Sequence, residues 1–170
     1  MANTPVNYVI NPTNPDNLSE EFITDTLAKA TETWDASTSK ELFNDNITID
    51  SSARFGVQNF NNAVVFEPYA DSGAIAVTSV WFSRKSKQIV EFDMVFNTNY
   101  QWGDVMASSG AVMDLENIAT HEFGHSVGLN DLYTDTCANV TMYGYSFYGD
   151  MAKRTLEQPD IQGLQKIYGM

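Results

Sequence analysis

The chain has 170 residues, of which 43% are hydrophobic and 12% aromatic, enough apolar side chains for one core of ordinary size. Lys and Arg number 9 against 22 Asp and Glu, so the formal net charge is -13 and most of the surface repels phosphate backbones and anionic bilayers. These values predict a single domain over residues 1–170, with neither nucleic acid nor a membrane as a partner.

The first third of the chain predicts one strand and one long helix. "VNYVI" alternates loosely, as a strand does, and an Asn- and Pro-rich turn follows it. Ser19 can cap a helix whose first turn carries Glu20 and Glu21 at the positive end of the helix dipole. One face of that helix is apolar at helical spacing and is predicted to face the core: Phe22, Ile23, Leu27, Ala30 and Trp34.

Residues 47–97 change to the pattern of strands. β-branched and aromatic residues dominate four segments separated by turn residues: "ITI", "NAVVFEP", "AIAVTSVWFS" and "QIVEFDMVFN". We therefore predict an α/β (α+β) fold with a twisted mixed sheet of four to five strands and a long helix on one face.

Two further helices are predicted after the sheet. Asp114 is placed as the N-cap of one, and Gly128 is placed to end it. The tail "LEQPDIQGLQKIYG" predicts a last helix, with Pro159 in its first turn and Gly169 after its end.

The sequence "HEFGHSVGLND" lies on the first of these helices and contains both histidines of the chain. Residues four apart share a helix face, so His121 and His125 can direct two imidazole nitrogens at one ion about 2.0 to 2.1 Å away. Glu122 then occupies the general-base position of an H-E-x-x-H hydrolase. The alternative is a pair of solvent-facing histidines, which the spacing and the intervening Glu disfavour.

A catalytic zinc site normally takes three protein ligands, and the third cannot be histidine here. Gly128 permits a sharp turn out of the helix, after which Asp131 could point back at the metal. Asp131 is therefore the predicted third ligand. A solvated loop carboxylate is the alternative, with Asp135 as the replacement ligand.

These residues resemble the metzincin metallopeptidases, whose H-E-x-x-H-x-x-G-x-x-H/D motif is matched by His121, Glu122, His125, Gly128 and Asp131. Asp as the last ligand resembles the snapalysin type, whereas "IATHEFGHSVGL" and "PDIQGLQKIYG" are similar to the matrixins. The resemblance implies a metzincin-like catalytic domain with subdomains of about 1–128 and 129–170. It also implies a Met-turn, for which "NVTMYGYS" offers Met142 as a supporting residue that does not ligate.

The sequence departs from the matrixin pattern in two places. Gly144 stands two residues after Met142, where the matrixins have a Pro and astacin-like relatives have a Tyr that ligates zinc. The roles of Tyr143 and Tyr145 therefore stay open. The loop "EPYADSG" is short and lacks the histidines with which many vertebrate matrixins hold a structural zinc ion, so the resemblance implies one catalytic zinc ion only. The acidic composition leaves calcium binding open, although no D-x-D-x-D-G loop is present.

By the same resemblance, protein or peptide substrates are expected to bind extended along an edge strand that includes Ile75, Ala76 and Val77; an ordinary inner strand is the alternative. The pocket for the side chain after the scissile bond would be formed near Asn117, Tyr143 and Tyr145. The predicted function is zinc-dependent endopeptidase, with Glu122 accepting a proton from the attacking water. A non-catalytic zinc-binding module or a non-peptidase zinc hydrolase on the same fold is the alternative.

The N-terminal residues lack the pattern of a signal peptide, yet the Asn- and Thr-rich composition is typical of secreted proteins, so we expect an extracellular mature form. We also expect a monomer. Cys137 is the only cysteine and excludes an internal disulfide; it is either a buried small hydrophobe or a thiol covered by a segment outside this chain. By the resemblance, a prosegment or an inhibitor would be such a partner.

Overall fold

The computed structural model describes residues 4–170, and its central element is a five-stranded mixed sheet. The strands are β1 Val9–Ile10, β2 Thr48–Ile49, β3 Ala63–Glu67, β4 Ala76–Phe82 and β5 Ile89–Asn97. They lie in the order β2-β1-β3-β5-β4, in which β4 pairs antiparallel with β5 and every other pair is parallel. The predicted mixed sheet of four to five strands is confirmed.

Three α-helices accompany the sheet: α1 Glu20–Asp35, α2 Leu115–Ser126 and α3 Gln158–Tyr168. Ser19 caps α1 by accepting from the Phe22 N–H, and Asp114 caps α2 by accepting from the Asn117 N–H, as the sequence predicts. The Trp34 indole of α1 donates to the Thr120 carbonyl of α2 over 2.7 Å, which locks the two helices together. Within residues 4–170 no helix combines the length and the apolar composition that a bilayer crossing needs.

Several short elements have no counterpart in the sequence prediction. β6 Trp102–Gly103 pairs parallel with β7 Met113–Asp114, and 3-10 turns cover Asp135–Cys137 and Ala152–Arg154. Segments of two or three residues are too short to show a hydrophobic period. They nevertheless fix the start of α2, because Arg154 donates to the buried Asp114 cap at 2.8 Å.

The two faces of the sheet are covered differently. The main core lies on the face against α1 and α2. On the opposite face a small cluster of Ala63, Val65 and Val95 is covered by the loop between β2 and β3. The fully buried Glu91 and Asp93 carboxylates of β5 accept backbone N–H groups of that loop, so they hold it against the sheet.

Candidate metal centre

Helix α2 carries the residues predicted to hold a metal. His121 and Glu122 are buried and His125 is half-buried, and one ligand atom from each lies within 4.8 Å of the others. Within the described part of the chain, these three residues form the one group of His, Cys, Asp and Glu side chains close enough to share an ion by this criterion. The arrangement follows from helix geometry, because the two histidines are four residues apart.

Backbone carbonyls orient both imidazole rings. The Nδ1 atom of His121 lies 2.7 Å from the Thr141 carbonyl oxygen, and that of His125 lies 2.9 Å from the Leu129 carbonyl oxygen. A carbonyl oxygen can only accept, so each Nδ1 carries the hydrogen. Each Nε2 atom is therefore left with the free lone pair that metal coordination requires.

Asp131 brings a third possible ligand atom to the two histidines. The chain leaves α2 through Gly128, whose φ of 101° is a left-handed conformation that suits glycine. The Oδ1 atom of Asp131 then lies 3.1 Å from Nε2 of His121 and 3.4 Å from Nε2 of His125. Among the described residues, Oδ1 is the one buried side-chain polar atom without a hydrogen-bond partner.

The two Nε2 atoms and Oδ1 thus face one another, and while both imidazoles are neutral no proton lies between them. The distances from Oδ1 to the two Nε2 atoms, 3.1 and 3.4 Å, are close to the edge of roughly 3.3 Å expected for a tetrahedron with zinc–ligand bonds of about 2.0 to 2.1 Å. A buried, unsatisfied acceptor is costly, and a cation at this point would remove the cost. The donor set therefore fits zinc.

The protonation equilibria of the metal-free site reflect the same convergence. Burial alone would lower the pKa of His125, but Asp131 and Glu122 outweigh it and raise this pKa to about 9. Burial would raise the pKa of the Asp131 carboxyl, yet the two imidazoles hold it well below its usual range. In the metal-free protein near neutral pH, the His125 imidazole is therefore protonated beside the Asp131 carboxylate.

Tyr133 orients the Asp131 carboxylate, and the sequence did not point to Tyr133. Its hydroxyl donates to Oδ2 of Asp131 over 2.9 Å, which leaves Oδ1 directed at the histidines. The Tyr133 ring lies against Gly144, where an added Cβ would meet Cε1 of the ring at 2.3 Å. The glycine that departs from the matrixin pattern is therefore needed for the ring that holds Asp131.

Met142 lies beneath α2, where the Met-turn was expected. Its side chain is buried, and its sulfur contacts Gly124, between the two histidines, so closely that an added Cβ would lie 2.3 Å away. The Asp160 carboxylate at the start of α3 accepts the backbone N–H groups of Thr141 and Met142 at 2.9 and 3.1 Å. The turn is thus fixed from below by α3 and packs against the helix that carries the two histidines.

His121, His125 and Asp131 line a cleft of about 980 Å³. Ile75, Ala76 and Val77 line one side, and β4 is the terminal strand of the sheet within the described chain, not an inner strand. Tyr145 lines the cleft and is 62% exposed at its rim.

Asn117 and Tyr143, which were expected to form the pocket, are not among the residues that line this cleft. The side chain of Asn117 is fully buried, and it accepts the Lys153 backbone N–H over 2.6 Å. Lys153 is a buried lysine that the sequence did not single out; its ammonium group donates to the Tyr143 carbonyl. Burial lowers the pKa of Lys153, and its nitrogen lies 3.4 Å from Nδ1 of His121.

Two other candidates lie away from the cluster. Asp135, the replacement ligand, is exposed at the start of a 3-10 turn. Cys137 ends that turn half-exposed, with its sulfur 3.4 Å from the Thr134 hydroxyl, so it is not a core residue. The structure therefore does not place it as a buried small hydrophobe.

Comparison with known proteins gives matches along the whole chain. A family model described as matrixin matches residues 1–169. The hatching enzyme of Paracentrotus lividus is 27% identical over 169 residues, which are 98% of this chain and 26% of that protein. Human matrilysin is 35% identical over 77 residues, 45% of this chain and 27% of matrilysin, and bovine interstitial collagenase is 46% identical over 57 residues, 33% and 11%. The matched regions thus cover about a quarter or less of these relatives.

Proposed function

The chain belongs to the matrixin family of metallopeptidases, and from that premise we propose that it is a zinc-dependent endopeptidase that hydrolyses peptide bonds within protein substrates. The observation that carries the proposal is the convergence of two Nε2 atoms and the unsatisfied Oδ1 of Asp131 beside Glu122, at the floor of an open cleft. Membership of the family supports zinc as the metal and proteins as the substrates.

In this proposal His121, His125 and Asp131 hold the metal, with Asp131 as a snapalysin-type third ligand. Bound zinc supplies acidification of the attacking water and stabilisation of the negative charge that develops on the carbonyl oxygen. Glu122 accepts the proton released during attack and delivers it to the leaving amine. Because a carboxylate replaces a neutral imidazole, the site carries less positive charge, so we expect an activity optimum above neutral pH.

An extended substrate would pair with the outer edge of β4, by the strand addition that many peptide-binding proteins use. The free edge of that strand and its position along the cleft support this orientation. Tyr145 at the rim is our candidate for contact with the side chain after the scissile bond, with Asn117 and Tyr143 supporting the wall behind it. We further propose an extracellular site of action, on the basis of the Asn- and Thr-rich composition.

Cleavage of casein by the zinc-loaded protein, with and without a chelator, tests the proposal. We expect cleavage that the chelator abolishes and that added zinc restores. Glu122→Ala should retain zinc and lose cleavage, whereas the exposed control Glu41→Ala should behave as wild type. A zinc-loaded wild type that does not cleave would favour the non-catalytic module or a non-peptidase hydrolase. A fully active Glu122→Ala variant would refute the role of Glu122.

A further inference from the structure

A threonine on the substrate-facing strand holds the carboxylate of Glu122. The Thr78 hydroxyl of β4 lies 2.6 Å from Oε2 of Glu122 and donates to it, and it lies 3.3 Å from the backbone carbonyl oxygen of the same residue. The single hydroxyl proton is directed mainly at the nearer, carboxylate oxygen. A hydrogen bond of this length between a hydroxyl and a carboxylate is charge-assisted, and it is stronger than a hydrogen bond between two neutral groups.

This contact fixes a side chain that otherwise has several rotamers. A Glu side chain loses rotamer freedom when it is held in one conformation, so an unrestrained carboxylate would spend part of its time turned away from the reacting atoms. We propose that Thr78 is a positioning residue that holds Oε2 of Glu122 toward β4 and so leaves the other oxygen free to accept the proton. This inference rests on the proposed role of Glu122 as the general base.

The position of Thr78 connects the base with the substrate-binding edge. Thr78 pairs in register with Met94 of β5, which lies in the main core, so its side chain points to the helix face of the sheet and toward α2. The outer backbone edge of the same strand is the one we propose for an extended substrate. The hydroxyl that orients Glu122 is therefore carried by the strand along which the substrate is proposed to bind.

The neighbouring Ser79 provides a matched control. It pairs with Asp93, whose carboxylate holds the β2–β3 loop on the opposite face, and it does not line the cleft. Ser79 is therefore next to Thr78 in sequence, but its hydroxyl lies on the face of the sheet away from Glu122. Thr78→Val removes the hydroxyl and keeps the branched shape, whereas Thr78→Ser keeps the hydroxyl and loses a methyl group.

The experiment measures kcat and KM for a casein-derived peptide, zinc content and melting temperature for wild type, Thr78→Val, Thr78→Ser, Ser79→Ala and Glu122→Gln. We expect Thr78→Val to lower kcat by about tenfold, the lower end of what outer-shell partners contribute, with KM changed by less than about twofold and zinc retained. Thr78→Ser should restore most of kcat, and Ser79→Ala should match wild type.

Three outcomes would overturn the inference. One is a Thr78→Val variant with wild-type kcat beside an inactive Glu122→Gln variant, which leaves the proposed function intact. Another is loss of zinc or of the fold in Thr78→Val, which would assign the hydroxyl to stability. The third is a failure of Thr78→Ser to restore kcat. A wild type that binds zinc without cleaving any peptide would instead refute the proposed function, and the inference with it.

Discussion

Gly124 lies between the two histidines on α2, and its replacement by Ala tests how the helix is supported. An added Cβ would lie 2.3 Å from the Met142 sulfur and 2.7 Å from Cζ2 of Trp34. Ordinary carbon contacts are about 3.5 to 4.0 Å, so the helix or its neighbours must move by roughly 1 Å. The Trp34 indole cannot easily move, because it is fully buried and donates to the Thr120 carbonyl.

Two opposing effects determine the magnitude. Overpacking of a core typically costs about 1 to 3 kcal/mol, whereas Ala in place of Gly within a helix contributes about 1 kcal/mol of stability. Because one of the two clashing groups is a rigid ring, we expect Gly124→Ala to lower the free energy of unfolding by about 1 to 2 kcal/mol. For a chain of this length that corresponds to a fall of roughly 2 to 8 °C in Tm. Displacement of α2 should also weaken zinc binding.

Thermal melting followed by circular dichroism, on chelator-treated and zinc-loaded protein, measures both effects. Gly110→Ala is the matched control, since an added Cβ there meets nothing within 4 Å and its φ is not in the left-handed region. It should change Tm little. A Gly124→Ala variant as stable as wild type in the metal-free form would refute the packing of Met142 and Trp34 beneath the helix.

Three further predictions concern the metal. Asp131→Ala should lose most of the bound zinc by mass spectrometry while Asp135→Ala retains it, and the reverse would move the third ligand to Asp135. Because the pKa of His125 is raised to about 9, zinc must displace a proton below that pH. Zinc affinity from chelator competition should then rise about tenfold per pH unit up to about pH 9 and level off, and a flat profile would contradict it. Tyr133→Phe should weaken zinc binding by about tenfold with Tyr145→Phe as the control, and equal effects would exclude the Asp131 contact.

Much of the scaffold follows from local pattern. The Ser19 and Asp114 caps, the apolar face of α1 and the end of α2 at Gly128 each depend on residues close in sequence, and the structure has them as predicted. The proximity of the His121 and His125 side chains could likewise be predicted, because a helix alone brings residues four apart together. These features need no knowledge of the tertiary fold.

The contacts that orient those residues depend on distant parts of the chain. Thr78 reaches Glu122 across 44 positions of sequence, and Lys153 approaches His121 across 32. A threonine inside an alternating strand and a lysine in a polar tail have ordinary explanations in sequence, so neither suggested a site. Tyr133 is close to Asp131 in sequence, but its effect depends on Gly144, which sequence alone showed only as a departure from a family pattern.

The acidic residues show how differently one charge type can be used. Sequence assigns the excess of Asp and Glu to a solvated surface, yet Glu91 and Asp93 are fully buried and accept five backbone N–H groups between them. Burying two carboxylates is tolerable only because those N–H groups replace the lost water. The same bonds attach the β2–β3 loop to β5, on which β4 is paired. The buried acids thereby hold the sheet from the face opposite the cleft, and Thr78 can keep a constant position against Glu122.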